Sequence, residues 1–177
     1  MKIEINEPGS EAFYKETVNA AAQYRYILKD HSYKLKDYFR HYRTLLTVAL
    51  IVLAANVAEM LLWGAGTAQL VASGVLLAAS LMCSAYLFSL KKSCRTMMAD
   101  PRASVLSLDD GGVELKVEDT QTVRIAKSNI AVIRVFSECL CFVPAAGAGV
   151  IISVDRKYEE EITRWVRENW PETEMKV

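Results

Sequence analysis

The sequence predicts an α+β membrane protein: a two-helix transmembrane hairpin joined to a small antiparallel β-sheet or partly open barrel, capped by a C-terminal α-helix. Three observations predict it. From Thr44 to Leu90 the only Asp, Glu, Lys, Arg or His is Glu59. After Pro101 the apolar period changes from helical to alternating. The chain then closes on a segment whose apolar residues recur at helical spacing. Hydrophobic residues make up 52% of the chain and the formal net charge is zero, so the totals are ordinary and the distribution carries the information.

The spans come first. Thr44 to Trp63 is about 20 residues, about 30 Å as a helix, which matches a bilayer's hydrocarbon thickness. Thr67 to Leu90 is comparable and uncharged. Between them "WGAGT" suits a tight turn at an interface, with Trp63 as an interfacial ring. Met1 and Lys2 lead into "IEINEPGSEAFYKE", which has no apolar stretch, so no cleavable signal is expected and insertion rests on the internal spans.

Lys34, Lys36, Arg40 and Arg43 precede the first span, Lys91, Lys92 and Arg95 follow the second, and the turn has no base. The positive-inside rule then puts both termini in the cytoplasm. Arg40, Arg43, Lys91, Lys92 and Arg95 are candidate contacts for anionic lipid headgroups, each worth about 1 kcal/mol near the surface. Tyr38, Phe39 and Tyr42 between the bases read as an aromatic belt, and a nucleic-acid partner is not expected.

Glu59 lies one helical turn from Trp63, at the outer end of the first span, where it can snorkel to water. The bland reading is an interfacial carboxylate. The sharper one is a polar seam in which Asn56 and Glu59, on one helix face, meet Gln69 or Ser73 across the hairpin. Gly74 with Ala78, and Ser80 with Ser84, have the four-residue spacing that lets helices approach closely.

The chain thus divides into an N-terminal amphipathic and juxtamembrane segment (1–43), the hairpin (44–92) and a cytoplasmic β domain with its final helix (101–177). In the first part "EAFYKETVNAAAQYRYILK" reads as a helix N-capped by Ser10, with Phe13, Ala20, Tyr24 and Ile27 on one side. It is expected to dock on the C-terminal domain or the membrane surface, and "KIEI" before it offers a strand to the sheet. His31 and His41 read as juxtamembrane polar residues.

In "VELKVE" Val113, Leu115 and Val117 face one way and Glu114, Lys116 and Glu118 the other. "DDGG" before it, with Leu106 and Leu108 upstream, signals a hairpin. Further strands are expected at "TVRIA", "AVIRVF", "CLCFV" and "GVIISV", with "AAGAG", Ala145 to Gly149, as the loosest turn. In the last segment Tyr158, Ile162, Trp165 and Val166 share a helix face, Glu159 to Glu161 suit its first turn, and Pro171 ends it.

The two spans, "IAKSNI" from Ile125 to Ile130, "AVIRVFSECLCFV" after it and "VIISVDRKY" before the last helix resemble the YcxB-like membrane proteins. Their C-terminal module is similar to a bacterial pleckstrin-homology-like (PH-like) domain. That family usually has a Pro-Trp pair in the first stretch and a proline before the basic residue in the last, where this chain has Ala126 and Lys127, and Val154. The resemblance implies a fold and a topology, and brings no catalytic residues.

Catalytic signatures are absent from the sequence. No phosphate loop, HExxH, GxSxG or CxxC occurs, and "AAGAGV" lacks dinucleotide spacing and leads into a strand. Of the four cysteines, Cys139 and Cys141 point to one face of a strand, poorly placed for a disulfide, and read as small core residues in a reducing compartment. No cofactor and no metal are expected. The functional expectation is an inner-membrane interaction or regulatory module without catalytic activity, touching membrane lipids and a protein partner or a second copy. The alternative is a small subunit of a transporter or channel with Asn56 and Glu59 at an oligomer interface.

Overall fold

A computed structural model describes residues 1–99, 103–117, 121–146 and 150–176. The chain divides into two compact units, one made of Met1–Leu35 with Cys94–Val177 and the other of Lys36–Ser93. The N-terminal segment therefore shares a unit with the β domain. Both of the first unit's sheets have four strands.

The first sheet runs β1 (Lys2–Ile5), β2 (Ser104–Asp109), β3 (Gly112–Val117) and β4 (Gln121–Ala126) in that order, all antiparallel. "KIEI" does join it: Ile3 pairs with Leu106 and Ile5 with Ser104. The "DDGG" hairpin forms between Leu108 and Val113, with Asp109 Oδ1 accepting the Gly111 N–H at 2.7 Å. Its positive φ, +144°, falls at Gly112, where a Cβ would lie 2.1 Å from the Ile125 carbonyl oxygen. In β3 Val113 is buried and Lys116 exposed, as alternation requires, while Glu118 lies outside the described residues.

A 3-10 turn, Lys127–Asn129, carries the chain into the second sheet, ordered β7 (Ile152–Asp155), β6 (Cys139–Pro144), β5 (Ile130–Val135) and β8 (Met175–Lys176). β8 runs parallel to β5 and was not anticipated, since two residues carry no periodic signal. Two stacked sheets thus replace the single sheet or partly open barrel expected, and among the described residues no strand pairing closes a barrel. The physical reason is the 3-10 turn: β4 and β5, consecutive in sequence, pair with different neighbours. Of "AAGAG", Gly147 to Gly149 lie outside the described residues.

The second sheet is buried on both faces. Ile133, Val135, Leu140, Phe142, Ile152 and Val154 meet Ile3, Leu106, Leu108, Val113 and Ile125 of the first sheet. Val132, Phe136, Cys139, Cys141 and Val143 face the other way, against Ala20 and Ile27. Double burial explains why "AVIRVF" and "CLCFV" are continuous apolar runs rather than alternating ones.

The N-terminal helix forms as α1 (Glu11–Ala22) and α2 (Tyr24–Lys29), broken at Gln23. Ser10 caps α1, its hydroxyl accepting the Phe13 N–H at 3.0 Å. The predicted face of Phe13, Ala20, Tyr24 and Ile27 is the one that packs on the second sheet. α5 (Glu159–Asn169) closes the main core with buried Ile162 and Val166, and the fully buried Trp170 follows it.

The second unit is a helical hairpin. α3 (Tyr38–Trp63) begins ahead of the expected Thr44, because Asp37 supplies an N-cap to the Arg40 N–H. α4 (Thr67–Ala99) runs past the expected end at Lys92 and into the first unit's residues. Both are long and apolar enough to cross a membrane, with mean hydropathy 2.3 and 1.9 in their most apolar stretches. The hairpin is joined at its open end by Tyr86, whose ring lies 4.5 Å from Tyr42 and 6.3 Å from Tyr38.

Candidate functional site

Where the two sheets part, the first unit has an apolar groove of about 300 Å3. Its floor is the end of the first sheet's inner face, Ile5, Ser104, Leu115 and Val117, and its far wall is α1, through Phe13, Tyr14 and Thr17. Between them runs β7, an edge strand. The Arg156 N–H donates to the Glu138 carbonyl at 3.0 Å. Antiparallel alternation then turns the main-chain groups of Val154 toward β6 and those of Ser153 outward, along the groove. An apolar slot beside a free strand edge suits an extended peptide, whose main chain pairs with the strand while a side chain fills the slot.

The groove's mouth is set by the link from β1 to α1. Glu7 reaches Lys157 Nζ at 2.8 Å, and this contact holds the Glu7 carboxyl below its ordinary range and the Lys157 ammonium above its own. Gly9 lets Phe13 close over the link: a Cβ there would stand 2.3 Å from the Phe13 ring.

A second constellation lies at the turn between β5 and β6. The Glu16 carboxylate accepts three consecutive backbone N–H groups, from Ser137 at 3.2 Å, Glu138 at 2.6 Å and Cys139 at 2.9 Å. Three donors on one anion form a nest and tie α1 to the hairpin. Beside it Arg134, only 7% exposed, donates to the backbone oxygens of His31 and Tyr33 and lies 5.4 Å from the Phe136 ring centre, while its buried Nε–H has no hydrogen-bond partner among the described residues. Burial lowers the Arg134 guanidinium from its ordinary value.

Cys139 and Cys141 sit side by side with sulfurs 3.5 Å apart, and both are fully buried. The hydrogen bond between them and burial push the Cys139 thiol far above the ordinary thiol range, which leaves it a poor nucleophile and a poor metal ligand. Among the described residues no group of three or more His, Cys, Asp or Glu side chains is placed to hold a metal.

The residues singled out in the hairpin are brought together in part. Asn56 Nδ2 donates to Ser73 Oγ at 3.0 Å and to the Gln69 carbonyl at 3.3 Å, and Gln69 turns its own amide oxygen to the Gly66 N–H at 3.0 Å. Glu59 is exposed and has no hydrogen bond to any of them. Asn56, Gln69 and Ser73 are therefore joined, without Glu59. Ser80 is buried within the hairpin, whereas Gly74, Ala78 and Ser84 are exposed, with open space around Gly74. Arg40, Arg43, Lys91 and Lys92 of the hairpin unit are exposed, as is Arg95 of the other unit. His31 proves to belong to the first unit, where its Nδ1 is hydrogen-bonded to Glu174 just before β8.

Sequence reasoning missed the groove because its walls come from five separated stretches of chain. It also missed Glu16 and Arg134, although each breaks a local pattern: Arg134 is the one charge in "AVIRVF", and Glu16 stands one turn from both Phe13 and Ala20 on the packed face of α1. Comparison with protein-family models, with curated proteins and with solved structures finds no match to this chain.

Proposed function

We propose that this protein is a membrane-anchored cytoplasmic interaction or regulatory module without catalytic activity of its own. The hairpin lies in the inner membrane with both termini on the cytoplasmic side, and the groove beside β7 receives an extended segment of a protein partner. The observation that carries the reading is the pairing of that groove with the outward main-chain groups of Ser153. Membrane anchorage is supported by the bare apolar surface of the hairpin. None of α3's most apolar stretch is buried and 6% of α4's is, whereas core helices of a soluble protein would be mostly covered. Leu61 is 82% exposed and Met82 74%, a surface that water does not tolerate over such lengths.

The fold proposal within this reading is a PH-like module of the YcxB-like kind; two stacked sheets closed by a terminal helix support it. Asn56 is spent on Ser73 and Gln69 inside the hairpin, which favours a packing role for it over an ion site.

Topology is tested with an impermeant thiol reagent in intact cells. Cys94 is buried and makes a poor reporter, so the reporters are Gly64→Cys and Glu160→Cys, both at exposed positions. Labelling at Gly64→Cys alone is expected; labelling at Glu160→Cys inverts the topology. The groove is tested by a photo-crosslinking residue at Ser153 in cells, with Arg164 on α5 as control. A discrete adduct from Ser153, lost when Ser104→Phe fills the floor, is expected. Equal adducts from both positions end the proposal.

A further inference from the structure

α2 has an outer face that the domain leaves open. On its inner side Ile27 is buried and the Tyr24 hydroxyl donates to the carbonyls of Pro144 and Ala145, each at 2.9 Å. Arg25, Tyr26 and Lys29 are exposed, and at 3.6 residues per turn they fall within about 100° of one another around the helix. Tyr26 is 54% exposed although its ring stacks on Tyr33, with centroids 5.5 Å apart and planes 19° from parallel. Tyr33 is held in turn by its hydroxyl, which donates to Oε1 of the fully buried Gln23 at 3.1 Å. The two rings form a fixed shelf, so little freedom is lost when something covers them.

The charge beside this shelf is mostly of one sign. Between Tyr24 and Leu35 the bases are Arg25, Lys29 and Lys34, and the acid is Asp30. All three bases are exposed and form no ion pair among the described residues. Asp30 is turned to its own chain, accepting the Ser32 N–H at 2.9 Å. Tyrosine rings among bases suit the headgroup level of a membrane, where an apolar ring with a polar tip meets both phases and the bases meet anionic lipid. Covalent reach keeps them close to such a surface. α3 begins five residues after Tyr33, and extended chain covers at most about 3.6 Å per residue, so Tyr33 lies within about 18 Å of the start of that apolar helix.

We propose that the outer face of α2, with Tyr33 and Lys34, is a contact surface for an anionic phospholipid bilayer: Tyr26 and Tyr33 lie at headgroup level, and Arg25, Lys29 and Lys34 meet the lipid phosphates. The inference rests on the membrane anchorage proposed above and is independent of the groove beside β7. Such a surface makes the module responsive to the lipid composition of the membrane that carries it.

The test is photo-crosslinking of the full chain in phosphatidylcholine nanodiscs, with and without phosphatidylglycerol, from a benzophenone side chain placed at Tyr26 and, as control, at the exposed Arg164 on α5. Phospholipid adducts are expected at Tyr26 and not at Arg164, and phosphatidylglycerol is expected to raise their yield about fivefold. Lys29→Gln combined with Lys34→Gln, both at exposed positions, should remove most of that gain. An inserted chain with no phospholipid adduct at Tyr26, with protein adducts in their place, with equal adducts at Arg164, or with a gain undiminished in the double variant overturns the inference and leaves the anchorage standing. A chain that does not enter nanodiscs overturns both.

Discussion

The carboxylate of Glu16, on α1, accepts the backbone N–H of Cys139, on β6, at 2.9 Å across 123 residues of sequence. This contact and its two companions from Ser137 and Glu138 hold the N-terminal helices on the outer face of the second sheet. A carboxylate taking three main-chain donors is worth more than neutral bonds of the same number. Glu16→Ala is expected to destabilise the first unit by about 2 kcal/mol, and Glu16→Gln by about half that, since the amide keeps one acceptor. Thermal unfolding in detergent measures both; an unchanged midpoint for Glu16→Ala would show that the nest adds nothing.

The same docking covers the thiols. Cys139 and Cys141 are fully buried beneath α1 and α2, and burial helps push the Cys139 thiol far above its ordinary range. Maleimide labelling at neutral pH is therefore expected to be slow at both residues in the native protein and faster in Glu16→Ala, where α1 lifts more often. Rapid labelling of the native protein would contradict the packing.

In the hairpin, Asn56 is a polar link between the helices, 3.0 Å from Ser73 Oγ. If the hairpin lies in a bilayer as proposed, such bonds average about 0.6 kcal/mol, so Asn56→Leu should lower resistance to denaturation in sodium dodecyl sulfate by about that much. Glu59→Gln, at an exposed position with no bond to the seam, should leave it unchanged. A larger loss in Glu59→Gln than in Asn56→Leu would restore Glu59 to the seam.

Acid should loosen the mouth of the groove. Glu7 is held below the ordinary 4.5 by its hydrogen bond to Lys157 and then by the charge on that ammonium. A depressed carboxyl contributes stability above its unfolded value and loses it as pH falls through the folded one. Lys157 is raised above 10.5, so its half of the pair fails only in alkali. Protection of the amides across Glu7 to Tyr14, taken relative to the intrinsic exchange rate at each pH, is expected to stay constant through neutral pH and to fall below 4.5. Glu7→Gln should flatten that acid response, and an equal response in Glu7→Gln would assign it to another group.

Trp170 follows α5 as a fully buried side chain, 5.2 Å from the Trp165 ring. Trp170→Ala should cost about 3–5 kcal/mol through lost burial and the cavity left behind. Its Nε1–H has no hydrogen-bond partner among the described residues, so Trp170→Phe should cost much less. Equal midpoints for the two variants would show that the pocket collapses around Ala.

Most elements were legible in the sequence because each rests on a local pattern. The two long apolar helices follow from uncharged length, α1 from Ser10 and its apolar side, the β2–β3 hairpin from "DDGG", and α5 from the spacing of Ile162 and Val166. Asn56 and Ser73 could be put on facing surfaces because a hairpin's register is short-range. The break at Gln23 and the strand at Met175–Lys176 were not legible, since their cause is what packs on them.

What the sequence determined by itself was therefore composition along the chain: which stretches are long and apolar enough to cross a membrane and which alternate or recur as strands and helices. Tertiary structure alone decided that the β-strands form two sheets, that "KIEI" pairs with β2 across more than a hundred residues, and that Glu16 meets Cys139. It alone buried Arg134 against the His31 and Tyr33 carbonyls and opened the groove beside β7. The physical reason is range. Periodicity and capping act over one or two turns of chain, whereas a nest, a cleft or a sheet edge is made by residues that only chain packing brings within hydrogen-bonding distance.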